Sequence, residues 1–238
     1  NAASIIGTKI ILPFPSVGTT ENIIIASAIS KGKTVIVNPA REPEISDLAD
    51  FLNHCGAKIY GAGESTIVIE GVNGLNPCEH TIIPDRILAS TYMSLCAVCS
   101  KELTINNIRQ SHLSPVFPVF TEMGCKIYLS DNSLTLVSPK RLKRVKSIKT
   151  MPYPGFPTDS QSPVAVALAL AKGTSILQET IFENRFRYVS ELNRFGTDIE
   201  IKDNIAVING VDKLHSANVH ATDLRGGAAL VVAALCAR

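Results

Sequence analysis

Several short segments place an acidic or hydroxyl side chain where a helix should begin, with an arginine nearby. In the run Pro154-Gly155-Phe156-Pro157-Thr158-Asp159-Ser160-Gln161-Ser162-Pro163, two prolines and a glycine hold the entry extended. Thr158 or Asp159 can cap the helix that follows, and Pro163 falls in its first turn, where a missing N–H is harmless. Asp85-Arg86 and Asp223-Leu224-Arg225 repeat the pattern, and Arg185 stands just beyond the strand expected after the Asp159 helix. The Ser16-Val17-Gly18 turn offers a hydroxyl and backbone amides, with Gly18 permitting close approach. Helix N-termini attract anions because their first amides lack partners and the dipole is positive there. Guanidinium groups suit bidentate binding of phosphate or carboxylate. Such a set fits group transfer to a hydroxyl of an anionic substrate, with arginines holding charge and Asp159 accepting the proton. The competing reading is structural: Asp159 only caps its helix, contributing about 1 kcal/mol, and each Asp–Arg neighbour is an ion pair between repeated units. Spacing alone does not identify the group transferred.

The elements that must position these residues recur along the chain. Gly56 in Cys-Gly-Ala-Lys-Ile-Tyr, Gly124 in Met-Gly-Cys-Lys-Ile-Tyr and Gly196 in Phe-Gly-Thr-Asp-Ile-Glu are spaced by 68 and 72 positions. Each suits a left-handed residue that ends an amphipathic helix. Ile45, Leu48, Leu52 and Cys55 step along one such helix, and Val189, Leu192 and Phe195 along another. Upstream lie β-branched runs at 34–37, 103–108 and 174–181, and each glycine is followed by two more strand candidates. Polar caps open further apolar helices at 23–28, 87–98, 164–171 and 228–237. The sequence therefore predicts an α/β protein of repeated strand-helix-strand-helix-strand-strand units, three complete and a fourth begun. The units should close around a shared helical core, with their right-handed crossovers bringing equivalent helix N-termini to one face.

Composition narrows the function classes. With 238 residues, 45% apolar and 18% charged, the chain can bury a substantial core and leaves little room for extensive disorder. A net charge of +2 argues against an electrostatically driven nucleic-acid partner. The basic run Lys140, Arg141, Lys143, Arg144, Lys146 and Lys149 reads as a solvated linker or strand edge. Six cysteines scattered among apolar residues suit reduced thiols in a cytoplasmic protein, and Cys96-x-x-Cys99 lies inside an apolar helical run without a second pair at zinc spacing. No metal site and no membrane span are expected. The C-terminal helix carries no stop signal, so the chain reads as a piece of something longer.

The segments Pro15-Ser16-Val17-Gly18-Thr19-Thr20-Glu21-Asn22-Ile23, Ala40-Arg41-Glu42-Pro43-Glu44-Ile45, Phe156-Pro157-Thr158-Asp159-Ser160-Gln161, Phe182-Glu183-Asn184-Arg185-Phe186 and Ala221-Thr222-Asp223-Leu224-Arg225 resemble, in order and spacing, successive motifs of the UDP-N-acetylglucosamine 1-carboxyvinyltransferases, a family of enolpyruvyl transferases. That resemblance implies two domains with an inside-out α/β barrel architecture and an active site in the cleft between them. Residues 1–83 would close the first domain and 84–238 form most of the second. It implies transfer of the enolpyruvyl group of phosphoenolpyruvate to the 3′-hydroxyl of UDP-N-acetylglucosamine, with phosphate released and no metal or organic cofactor. By resemblance Asp159 is the general base that contacts this hydroxyl. Ser16, Val17 and Gly18 bind the UDP portion, and Ile181 holds the sugar nucleotide through its backbone. Arg225 lies on the phosphoenolpyruvate side, while Asp223, Arg185 and Arg86 support substrate binding. The family's N-terminal lysine and reactive loop cysteine fall before Asn1, and a further arginine after Arg238. The missing flanking segments are therefore expected partners, and the chain alone is expected not to turn over. The alternatives are the shikimate-pathway enolpyruvyl transferase of the same fold and a catalytically dead nucleotide-sugar-binding homologue.

Overall fold

The computed structural model describes residues 5–99 and 101–237 and divides them into two compact units. The first, Asn1–Ile83 with Pro152–Pro154, contains β1 (Lys9–Ile11), α1 (Val17–Ala28), β2 (Lys33–Val37), α2 (Pro43–His54), β3 (Lys58–Tyr60) and β4 (Thr66–Glu70). Its sheet runs β1-β2-β4-β3, with β1 parallel to β2 and the other neighbours antiparallel. Alternation decides which face is covered: Thr34 and Ile36 pair with Ile69 and Ile67, and all four are buried. Ile24 and Ala28 of α1, and Ile45, Ala49 and Leu52 of α2, complete that core.

The second unit, Pro84–Met151 with Gly155–Arg238, opens with α3 (Arg86–Cys99), β5 (Glu102–Asn106), α4 (Gln110–Leu113), α5 (Phe117–Glu122), β6 (Lys126–Ser130) and β7 (Ser133–Val137). It continues through β8 (Ser147–Lys149), a 3-10 turn at Thr158–Ser160, α6 (Gln161–Ala169), β9 (Thr174–Gln178), α7 (Val189–Arg194), β10 (Asp198–Lys202), β11 (Ile205–Asn209) and α8 (Leu224–Cys236). Two sheets result, β5-β7-β6 and β10-β11-β9-β8, with β8 parallel to β9. Between them the hydrophobic core runs through α3, α6 and α8. This arrangement, helices inside and sheets outside, is the one expected of the repeats. Gly56, Gly124 and Gly196 have φ of 98°, 92° and 87°, so each is the left-handed helix terminator its spacing suggested.

The repeats are less uniform than the sequence implied. Among the described residues no strand of the second unit precedes α3, because residues 71–85 take neither helix nor strand, and the middle sheet therefore has three strands where the others have four. The amphipathic helix before Gly124 is two short pieces, α4 and α5, separated at Ser114-Pro115-Val116; proline supplies no N–H to continue the ladder. Every residue of α6 is buried, so this helix is apolar all round instead of carrying a single stripe. The basic run forms β8 and the segment leading into it, with Leu142, Val145 and Ile148 buried and the cationic residues exposed.

Candidate active site

Neither Thr158 nor Asp159 caps α6. The helix is entered through the 3-10 turn without a side-chain cap, which overturns the capping reading of both residues. Thr158 Oγ1 instead donates to Glu179 Oε2 at 2.9 Å. Asp159 is taken by two arginines: Arg185 Nη2 donates to Oδ1, and Arg225 Nη2 donates to Oδ2 at 2.6 Å. The Asp159 side chain is 35% exposed, and those of Arg185 and Arg225 are 19% and 31% exposed. One carboxylate between two guanidiniums leaves a net positive, half-desolvated patch. In such surroundings charge-assisted bonds are stronger than on an open surface.

Local chemistry explains why these groups meet. Ser160 and Ser90 share a 2.6 Å hydrogen bond that ties the turn to α3, and Ser162 Oγ donates to the Arg225 carbonyl at 2.8 Å, tying α6 to the first turn of α8. Asp223 is the N-cap of α8, its Oδ1 accepting from the Gly226 amide at 2.8 Å. A Cβ on Gly226 would stand 2.8 Å from Tyr188 Cβ, so the glycine there permits close packing and is more than a flexible hinge. Tyr188, fully buried, donates its hydroxyl to Gln161 Oε1 at 2.8 Å, and burial, reinforced by the Glu179 charge, pushes that hydroxyl's pKa up. Arg185 lies with its guanidinium carbon 4.9 Å from the Phe182 ring centroid. Arg185 Nε and Gln161 Nε2 are buried donors with no partner among the described residues. Orphan donors beside an arginine-rich patch are the feature an acceptor-bearing ligand completes.

Glu179 is the residue the sequence reading missed. It accepts from Thr150 Oγ1 at 2.9 Å, Thr158 Oγ1 at 2.9 Å, the Ile181 amide at 2.8 Å and the Phe182 amide at 3.2 Å. The run 174–181 reads as one continuous strand, yet β9 ends at Gln178, and the chain then turns around this buried carboxylate. A lone acid closing a β-branched run was the available signal. Ile181, half-buried, has its amide taken by Glu179. Arg86, also half-buried, is the first residue of α3, while Asp85 Oδ1 accepts from the Ile87 and Leu88 amides.

In the first unit Ser16 is the N-cap of α1, its Oγ accepting from the Thr19 amide at 3.3 Å, and Val17 and Gly18 open the helix. A Cβ on Gly18 would meet nothing within 4 Å, so that turn has open space beside it. Among the described residues no helix is long and apolar enough to cross a membrane.

The family model for EPSP synthase (3-phosphoshikimate 1-carboxyvinyltransferase) matches residues 2–238. The chain belongs to this enolpyruvyl transferase family. UDP-N-acetylglucosamine 1-carboxyvinyltransferase 2 of Caldanaerobacter subterraneus subsp. tengcongensis is 51% identical over 229 residues, covering 96% of this chain and 55% of the relative. UDP-N-acetylglucosamine 1-carboxyvinyltransferase of Finegoldia magna is 48% identical over 235 residues, covering 98% and 55%. The chain thus spans a little over half the length of the curated relatives it matches. The crystal structure of the enolpyruvyl transferase NikO from Streptomyces tendae superposes with a TM-score of 0.90 at 25% identity, covering all of this chain and 59% of that one. EPSP synthase from Acinetobacter baumannii, at 16% identity and a TM-score of 0.68 over 98% of this chain and 57% of that one, shares the fold. These likenesses agree with the enolpyruvyl transferase architecture read from the five motifs.

Proposed function

We propose that this chain is part of an enzyme that transfers the enolpyruvyl group of phosphoenolpyruvate to the 3′-hydroxyl of UDP-N-acetylglucosamine. The observation that carries the reading is Asp159 held by Arg185 and Arg225 in one half-buried patch, in a chain whose relatives at about half identity are named for that activity. Arg185 and Arg225 occupy both Asp159 oxygens. An incoming phosphate or carboxylate competes for the guanidiniums, and as they turn to it an Asp159 oxygen is freed to take the acceptor hydroxyl's proton. In the net reaction the hydroxyl oxygen gains a bond to the enolpyruvyl carbon, the bond from that carbon to the phosphate oxygen breaks, and inorganic phosphate leaves with the proton. Arg225 and Arg185 hold the charge that develops on the departing phosphate.

Ser16, Val17 and Gly18 hold the UDP portion at the start of α1, and the Ile181 backbone holds the sugar nucleotide. Asp223 supports this patch through its cap on α8, and Arg86 adds positive charge at the start of α3. The step belongs to peptidoglycan precursor synthesis in the cytoplasm and so bears on cell shape and division. The 1–83 segment closes one domain and the 84–238 segment forms most of the other.

The test uses the intact protein. UDP-N-acetylglucosamine should raise its melting temperature and shikimate 3-phosphate should not; the reverse overturns the substrate assignment. Asp159→Asn should abolish phosphate release while sparing nucleotide-sugar binding, and retained turnover removes Asp159 from the mechanism. Nucleotide-sugar binding by the unmodified protein without any transfer identifies a catalytically dead homologue.

A further inference from the structure

Within residues 71–85, which take neither helix nor strand, positions 76, 78 and 80 run along α2 in a regular register. The Asn76 amide donates to the Cys55 carbonyl at 2.8 Å, the Cys78 thiol lies 3.2 Å from the Cys55 thiol and 3.8 Å from the Phe51 carbonyl, and His80 Nε2 is 3.0 Å from Asp47 Oδ1. The His80 ring also packs edge-on against Phe51, centroids 5.6 Å apart. Two extended residues advance about 6.6 Å and four helical residues about 6 Å, so alternate strap positions keep step with every fourth position of a helix. The strap at 76, 78 and 80 therefore descends from Cys55 through Phe51 to Asp47. Its middle rung is a pair of free thiols, one buried and one half-buried.

We propose that Cys55 and Cys78 are a reversible dithiol–disulfide pair, a redox modification site that locks this strap onto α2. Among the described residues no three His, Cys, Asp or Glu side chains are grouped to hold a metal ion. With a peroxide as oxidant, the more accessible Cys78 sulfur attacks one peroxide oxygen, the O–O bond breaks, and water or an alcohol departs from the second oxygen. The Cys55 sulfur then attacks the resulting sulfenic acid, the S–S bond forms, and a second water leaves. Both thiol protons end in those products, and the peroxide gains the two electrons that the sulfurs lose. The hydrogen bond shared with Cys55, with burial and the Cys55 charge adding to it, keeps the Cys78 thiol above its ordinary pKa, so proximity and not acidity drives the closure. The rate should accordingly rise with pH.

The experiment treats the purified, reduced native protein with dilute hydrogen peroxide, blocks remaining thiols, and maps peptides without reduction. The expected product is monomeric, with the Cys55 and Cys78 peptides joined, two fewer blockable thiols, and reversal by dithiothreitol. Proteolytic cleavage within 71–85 should slow several-fold on oxidation, and Cys55→Ser and Cys78→Ser should each prevent both effects. Cys99 and Cys236 of the second unit also lie close enough to influence each other's thiols. A bridge there alone, a bridge between molecules, or Cys55 and Cys78 both carrying the blocking group overturns the proposal.

Discussion

Arg225 reaches across 66 positions of chain to stand 2.6 Å from Asp159, on the carboxylate oxygen that Arg185 leaves open. The contact rests on the Ser162 hydrogen bond to the Arg225 carbonyl, which fixes the first turn of α8 against the first turn of α6. An arginine so held is expected to act on charge developing at a bound anion more than on overall folding. Arg225→Lys keeps the charge but loses the planar fork. On the proposed function, this change in the intact protein should lower kcat/KM for phosphoenolpyruvate by about 100-fold or more, with nucleotide-sugar affinity changed only a few-fold. Steady-state kinetics beside nucleotide-sugar titration checks the split, and an equal loss in both would assign Arg225 to general binding.

Glu179 is expected to be structural first. Its Ala substitution leaves Thr150, Thr158 and two amides without their buried acceptor, and disrupting a charged network of this kind destabilises by about 3 kcal/mol or more. Denaturant unfolding of Glu179→Ala measures it, and a loss below about 0.5 kcal/mol would show that water replaces the carboxylate easily. Thr158→Ala, which removes one donor and keeps the acid, should lose less.

Two glycines should respond in opposite directions. At Gly226 an added Cβ meets Tyr188 Cβ at 2.8 Å, a contact anchored to backbone, so Gly226→Ala should destabilise by about 1–3 kcal/mol through overpacking. At Gly18 the space is open, and Gly18→Ala should stabilise by about 0.5–1 kcal/mol through reduced unfolded-chain freedom. If Gly18 also lies against the UDP portion, the stabilised variant binds nucleotide sugar more weakly. Melting curves with and without the nucleotide sugar separate the two effects, and undiminished binding would remove Gly18 from the site.

Glu21 supplies a pH dependence. Burial first, then the charges of Glu44 and Glu42, raise its pKa above the ordinary carboxylate value. A carboxyl raised on folding favours the folded state below its unfolded pKa, and that contribution is lost as pH rises through the folded value. Glu21→Gln should therefore stabilise the protein at neutral pH, by no more than about 0.5 kcal/mol for a half-exposed position, and the gain should vanish as pH falls below the ordinary glutamate range. Melting temperatures of both proteins across pH 3 to 8 test the sign, and a gain that grows toward acid contradicts it.

Much of this protein was written in short-range pattern. Gly56, Gly124 and Gly196 end helices with positive φ because a left-handed residue favours glycine, and that preference is local. Two strands follow each glycine, as the sequence reading expected, and the five motifs carried the family because their order and spacing survive without coordinates. Tertiary structure alone decided what the polar side chains do. Asp159 has the composition of a cap, but guanidiniums from beyond β9 and from α8 outcompete the helix amides, since a charged partner bonds more strongly than a neutral N–H. Glu179 ends a strand-like run, and only the arrival of Thr150 and Thr158 makes it a buried hub. The α6 helix has no apolar stripe to read, because burial on every side is a property of the neighbours α3 and α8 that surround it. Periodicity reports the face a segment turns inward, whereas the partner of a charge is fixed by contacts between residues far apart in the chain, which no local pattern encodes.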